Sequence, residues 1–195
     1  SNFGLDLATI EKAVDANTKM IFVCSPNNPT ANIMDAGAIQ KLCETYADTA
    51  LIIVDETYIE FSNQPSSIAK LDQFANLVVL RTLSKSHAAA GLRCGAAVAR
   101  GDVTSLLRKV LAPYPLAAPV VQAALTILKP ENTAKLAEKR ADIVTRRNGY
   151  AKEFAKLDDV QSVLPSDANY LLLLVYDAAE ICERAPVSYT HLRAH

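Results

Sequence analysis

The sequence predicts an α/β fold built on a mainly parallel sheet with helices on both faces, followed by part of a smaller α+β lobe. Three observations carry this. Short apolar runs alternate along the chain with patterns of period 3.6, which is the signature of strands separated by crossover helices. The runs are continuous rather than alternating, as in strands covered on both sides. Each run stops abruptly in prolines or polar residues, as a buried strand does on leaving a sheet.

In chain order, Asp6 heads a helical pattern with Leu7, Ile10 and Val14 on one face. Lys19–Cys24 is the first apolar run, closed by the proline-bearing stretch Ser25–Thr30, where two prolines forbid a regular helix. Asp35 leads a second helix through Ala38, Ile39, Leu42 and Tyr46, and Leu51–Val54 is the second strand, ending in Asp55. Asn76–Leu80 is the third. A small-residue segment, Ala88–Ala99, precedes helices over Asp102–Leu111 and Ala117–Leu128, which Pro113 and Pro115 separate. A long amphipathic helix is expected from Asn132 to about Leu157, because Leu136, Ile143, Tyr150 and Leu157 recur every seven residues with charged residues between them. Strands at Val160–Val163 and Tyr170–Val175 and a helix from Ala178 to Arg184 then open a second lobe. This divides the chain into 1–145, the central part of a large domain, 146–184, the start of a small lobe, and 185–195, a tail in which Pro186 interrupts the last helix. Half an α+β lobe is expected to leave apolar surface uncovered.

Composition excludes several classes. In 195 residues, 20 Lys and Arg stand against 21 Asp and Glu, so no basic footprint marks a nucleic-acid partner and no cationic stretch marks a membrane surface. The apolar run Tyr170–Tyr176 is far shorter than the ~20 residues of a membrane helix, and no signal-peptide pattern opens the chain. The default is therefore cytoplasmic. Cys24, Cys43, Cys94 and Cys182 are irregularly spaced, without a Cys-x-x-Cys pair, and His87, His191 and His195 form no ligand cluster with them. Free thiols are expected, and no metal.

Ligands of an open parallel sheet bind beyond the carboxyl ends of its strands. There the sequence places Asn28 after the first strand, Asp55 and Tyr58 after the second, and Thr82, Ser84 and Lys85 after the third, with Arg93 eight residues on. Each alone reads equally well as structure: an Asp after a strand as a cap or turn residue, Asn-Asn-Pro as turn chemistry, Lys and Arg as solvated charge. Only the ordered set is specific.

That set lies in SPNNPT (25–30), VDETYIEF (54–61), RTLSK (81–85), AGLRCG (90–95) and APYPL (112–116). It resembles the fold-type I pyridoxal-phosphate aminotransferases, and among them most closely the histidinol-phosphate aminotransferases, over about residues 5–174. The resemblance implies that Lys85 holds pyridoxal 5'-phosphate as a Schiff base, a role suited to an amine that burial can deprotonate. It implies that Asp55 faces the pyridine nitrogen, so that the ring acts as an electron sink, and that Asn28 and Tyr58 bond its phenolic oxygen. Thr82, Ser84 and Arg93 would hold the phosphate, Arg by a fork that matches its oxygens. Lys85, Asp55 and Tyr58 form the catalytic set.

The implied reaction is transamination of L-histidinol phosphate with 2-oxoglutarate, giving glutamate, in histidine biosynthesis, by a homodimer of which this chain is an incomplete part, poorly active or inactive alone. A threonine-phosphate decarboxylase or another class I/II aminotransferase would share the same cofactor residues. A non-catalytic α/β binding or oligomerisation domain is the alternative of another class, since fold does not fix function. Two departures from the family pattern stand out. Ala31 replaces a Gly, which costs energy only if that residue has a positive φ. His87 replaces a Phe of similar shape. Both read as tolerated replacements.

Overall fold

The computed structural model describes residues 3–184; the expected tail at 185–195 lies outside them. A four-stranded sheet runs in spatial order through β1 (Met20–Cys24), β2 (Leu51–Asp55), β3 (Leu77–Thr82) and β4 (Gly95–Ala99). The first three strands are parallel and β4 is antiparallel to β3. A separate antiparallel pair, β5 (Val160–Val163) and β6 (Leu173–Val175), follows the long helix Pro130–Phe154.

The helices start where the sequence places their caps. In α1 (Leu7–Ala13) the Asp6 carboxylate accepts from Thr9 N at 3.0 Å, and in α2 (Ala36–Thr45) Asp35 accepts from Ala38 N at 2.7 Å. On one face of the sheet, Ile39, Leu42 and Cys43 of α2 close over Val23, Ile52, Val54, Leu77 and Val79, with Leu7 and Ile10 of α1 at the margin. Alternate residues, Ile53 and Val78, face the other way and meet Val103 of α3 (Gly101–Val110). The period-2 geometry of the strands thus divides one apolar run between two helix layers. Buried Asn76 joins the layers: its Nδ2 lies 3.1 Å from the carbonyls of Cys43 and Ala50 and 3.2 Å from that of Tyr46. It so bonds the Cys43 carbonyl in the last turn of α2 and ties that turn to the loop carbonyls of Tyr46 and Ala50.

Three local differences from the sequence expectation have physical causes. Gly95–Ala99 is a strand although its residues are poor strand formers; Gly95 permits it, because a Cβ there would stand 2.9 Å from the Arg81 carbonyl. The long helix α5 spans Pro130–Phe154 and so starts before the expected Asn132, on a proline that suits a first helical turn. Strand β6 starts only at Leu173, because Tyr170 is turned back onto the turn after β1, where its hydroxyl bonds Asn27 O.

Burial is uneven. The sheet and α2 hold nearly all of the fully buried large side chains, whereas α4 (Ala118–Ile127), rich in Val, Leu and Ile, buries only Ala124, and α5 buries none. Uncovered apolar residues occur at Leu174 on β6 and at Tyr176 just beyond it. They occur also on β1, at Met20 and Phe22, and around the end of α3, at Val110, Leu111 and Tyr114. No helix among the described residues is long and apolar enough to cross a membrane.

Ala31 does occupy the left-handed region, with φ 62°, and is fully buried against Tyr58, Phe61 and Ala168. The condition under which its Cβ costs energy is therefore met. Ala31→Val should destabilise the fold by about 2 kcal/mol or more, adding β-branching in this region to overpacking at a site with no room; chemical denaturation measures it, and a neutral result would refute the assigned conformation. Replacing Asn76 by Leu should cost a similar amount, about 1 kcal/mol for each acceptor left buried and unpaired.

Candidate active site

The register of the parallel strands builds the site. Cys24 pairs with Asp55 and Asp55 with Leu80, so β1, β2 and β3 release the chain at one rim. After β1 the chain turns through Ser25–Pro26 and Asn28–Pro29, both cis peptides. Asn28 then donates from Nδ2 to the Tyr58 hydroxyl at 3.1 Å. Cys24, Pro26, Asn28, Asp55, Thr57 and Tyr58 line a cavity of about 200 Å³. The Lys85 amine stands over the Tyr58 ring, 5.6 Å from its centre. Asn28, Asp55, Tyr58 and Lys85 are therefore brought together.

Asp55 is half-buried rather than fully buried. Its Oδ1 accepts from both Thr57 N, at 3.0 Å, and Thr57 Oγ1, at 2.6 Å. No hydrogen bond from the described residues is recorded at Oδ2, so one carboxylate oxygen remains to meet a ligand in the cavity that the residue lines. The neighbouring Glu56 is buried and fully engaged, with Ser66 Oγ, with Ser67 N at 2.6 Å, and with Arg81 Nη1 at 3.6 Å. Arg81 also pairs with Glu60. This ion-pair group ties the end of β2 to the end of β3.

The residues expected at the phosphate share one turn. Thr82 Oγ1 lies 2.9 Å from Ser84 Oγ and accepts from Ser84 N at 3.1 Å, and Gly95, two residues past Arg93, pairs with Thr82. The Arg93 side chain differs from expectation. It is exposed, sits on a residue with φ 49°, and donates to its own turn at Ala90 O, 3.1 Å away, rather than to Thr82 or Ser84.

His87 does not line the cavity that Asn28, Asp55 and Tyr58 share. Its Nδ1 lies 2.9 Å from Ser86 Oγ, and it lines a second space of about 440 Å³ with Glu60, Arg81, Cys94 and Arg140. Burial pulls its pKa down against the opposing charge of Glu60. It thus lines a space and has a hydrogen-bond partner at one ring nitrogen. The four cysteines are free thiols, and among the described residues no group of three or more His, Cys, Asp or Glu is placed to hold a metal.

Two contributors escape the sequence. Tyr170 donates from its hydroxyl to Asn27 O at 2.7 Å and sets its ring edge-on to Tyr58, with centroids 5.3 Å apart. Asp167 accepts from Ile33 N at 3.3 Å and from Ser62 Oγ at 3.1 Å. Separations of 105 residues or more leave no spacing signal for either.

The donor set has the chemistry that the resemblance implies for the cofactor: a carboxylate with a spare oxygen and an amide–phenol pair lining one concavity, an amine over the phenol ring, and hydroxyls and an Arg at the adjoining turn. The 40% identical histidinol-phosphate aminotransferase 2 of Mannheimia succiniciproducens aligns over 180 residues, 92% of this chain and 51% of that protein. The histidinol-phosphate aminotransferase of Pectobacterium carotovorum is 42% identical over 89% of this chain and 48% of its own length. The crystal structure of a protein from Erwinia carotovora atroseptica, described as a putative histidinol-phosphate aminotransferase, superposes with a TM-score of 0.77 at 30% identity, covering 92% of this chain and 53% of that one. The chain thus spans about half the length of these relatives. The family model for aminotransferases of class I and II matches residues 1–193, and the chain belongs to that family.

Proposed function

We propose that the whole protein carrying this sequence is a pyridoxal-phosphate-dependent histidinol-phosphate aminotransferase, which moves the amino group of L-histidinol phosphate to 2-oxoglutarate and yields glutamate in histidine biosynthesis. The observation that carries the reading is the Lys85 amine over the Tyr58 ring at the rim where Asp55 and Asn28 share a cavity. The names of the relatives support the substrate. A cytoplasmic homodimer belongs to the same reading, as the resemblance implies.

Bound at this rim, pyridoxal phosphate supplies the electron sink that lets a proton leave the carbon bearing the amino group. The chain's own residues do the rest. Asp55, whose Oδ2 is spare, would hold a proton on the ring nitrogen of a bound cofactor. The Lys85 amine would hold the cofactor and, when free, would serve as the base that moves the substrate proton. Asn28 and Tyr58 present an amide and a hydroxyl to one ring oxygen, already aligned by their mutual hydrogen bond. Thr82, Ser84 and Arg93 receive the phosphate; for Arg93 this means exchanging the Ala90 carbonyl for phosphate oxygens, a stronger charge-assisted partner.

Adding pyridoxal phosphate to the chain should give a visible band that borohydride removes, with the label mapping to Lys85; label on other lysines alone would favour a non-catalytic domain. In the whole protein, Lys85→Ala should lower turnover of L-histidinol phosphate by at least about 10²- to 10⁴-fold, the range for loss of a positioned acid–base group. Asp55→Ala should keep the borohydride-fixed label and lose nearly all turnover. Release of carbon dioxide from a phosphorylated amino acid, without amino transfer to 2-oxoglutarate, would shift the assignment to a decarboxylase.

A further inference from the structure

We infer that Tyr170 is a positioning residue that sets the Asn28–Tyr58 pair from the second lobe, and that Asp167 anchors the segment carrying it. This rests on the reading of Asn28 and Tyr58 as ligands of the cofactor's phenolic oxygen. Between β5 and β6 the chain leaves its own lobe and lies along residues 27–33. Asp167 N donates to Ala31 O at 2.7 Å, its carboxylate accepts from Ile33 N and Ser62 Oγ, and Ala168 is fully buried against Ala31, Tyr58 and Phe61. Arg147 of α5 donates to the Ala168 carbonyl and holds the segment from behind.

Tyr170 ends this segment and touches Tyr58 and the residue before Asn28. Its hydroxyl fixes the carbonyl of Asn27, the residue before Asn28, and its ring edge fixes the plane of the Tyr58 ring. Asn28 Nδ2 and the Tyr58 hydroxyl, 3.1 Å apart, are thus each one covalent or packing step from one side chain. Burial also pushes the Tyr170 pKa upward, so its hydroxyl stays a proton donor to Asn27 across the working range. A hydrogen-bond donor aimed at the phenolic oxygen favours its charged form and lowers the pH at which the Lys85–cofactor linkage loses its proton. A misaligned pair should therefore raise that pH. Any movement of the second lobe that drags residues 166–170 reaches the cofactor through this contact.

The test is a spectroscopic pH titration of the cofactor-loaded protein, followed in wild type, Tyr170→Phe and Tyr170→Leu. Wild type must first give the borohydride-sensitive band on Lys85; its absence would sink the functional reading itself rather than this inference. Given that band, Tyr170→Phe, which keeps the ring, should raise the midpoint of the visible absorbance change by a few tenths of a pH unit, the size that one weakened hydrogen bond supports. Tyr170→Leu should raise it further and weaken cofactor binding by about 3- to 10-fold by equilibrium dialysis, a loss equal to about one hydrogen bond. In a Tyr58→Phe background the added effect of Tyr170→Phe should shrink, since the two act through one contact. Tyr170→Phe serves as the check if Tyr170→Leu folds poorly. Midpoints equal to wild type in both variants, or full additivity with Tyr58→Phe, would overturn the inference.

Discussion

The parallel register of β1, β2 and β3 is the constraint on which the rest depends. Because Cys24, Asp55 and Leu80 are hydrogen-bonded partners at one level, three separate crossover units deliver their first polar residues to one rim. The register is itself held by burial. Ile52, Val54 and Val79 are completely enclosed on one face, while Ile53 and Val78 are enclosed on the other. A slip of one residue would exchange these sets and force Asp55 into the position of a core residue. Each such side chain contributes about 1.5–3 kcal/mol through burial, so the register of the site is specified by several residues that never touch a ligand.

Beyond the last ladder bonds the rim is held by polar groups. Glu56 turns inward directly after Asp55, and its carboxylate, though buried, is satisfied by Ser66, Ser67 and Arg81. Arg81 bridges Glu56 and Glu60 from the neighbouring strand. Removing one partner of a group this enclosed leaves a charge with little solvent, which costs more than the pair contributes when whole. The alternation of Asp55 outward and Glu56 inward assigns two adjacent carboxylates to different tasks: one lines the cavity, the other fastens the strand ends that shape it.

Much of this was legible in the sequence, for identifiable reasons. Strands β1 to β3 announce themselves because continuous apolar runs of this length with β-branched residues suit few other roles, and Asp6 and Asp35 mark helix starts because a cap side chain is a local chemical need. Asn28, Asp55, Tyr58 and Lys85 were readable as a set because strand ends converge in this architecture. Strand β4 was not readable: Gly and Ala carry no strand signal, and Gly95 is there for the close approach to Arg81, a tertiary fact. Tyr170 and Asp167 were invisible as site residues for the same kind of reason, since their partners are brought near only by the folded path. Ala31 is intermediate, because the sequence posed the question of its φ and only the backbone answers it.

The two sides of the site differ in what fixes them. Asp55 is the last residue of a central strand, paired on both edges, and Tyr58 is buried and held by Asn28 and Tyr170. Thr82 closes β3, but the Ser84–Arg93 stretch beyond it is held by short turns, and Arg93 folds back onto its own carbonyl. The carboxylate and phenol side is therefore preorganised, whereas the Arg93 guanidinium would have to leave the Ala90 carbonyl to grip an anion. Such a division suits a ligand with a flat ring and a charged tail. The ring needs fixed angles for proton chemistry, and a rigid frame supplies them. The tail needs only charge and hydrogen-bond donors within reach, which a turn that closes on binding can provide at the cost of one weak internal contact.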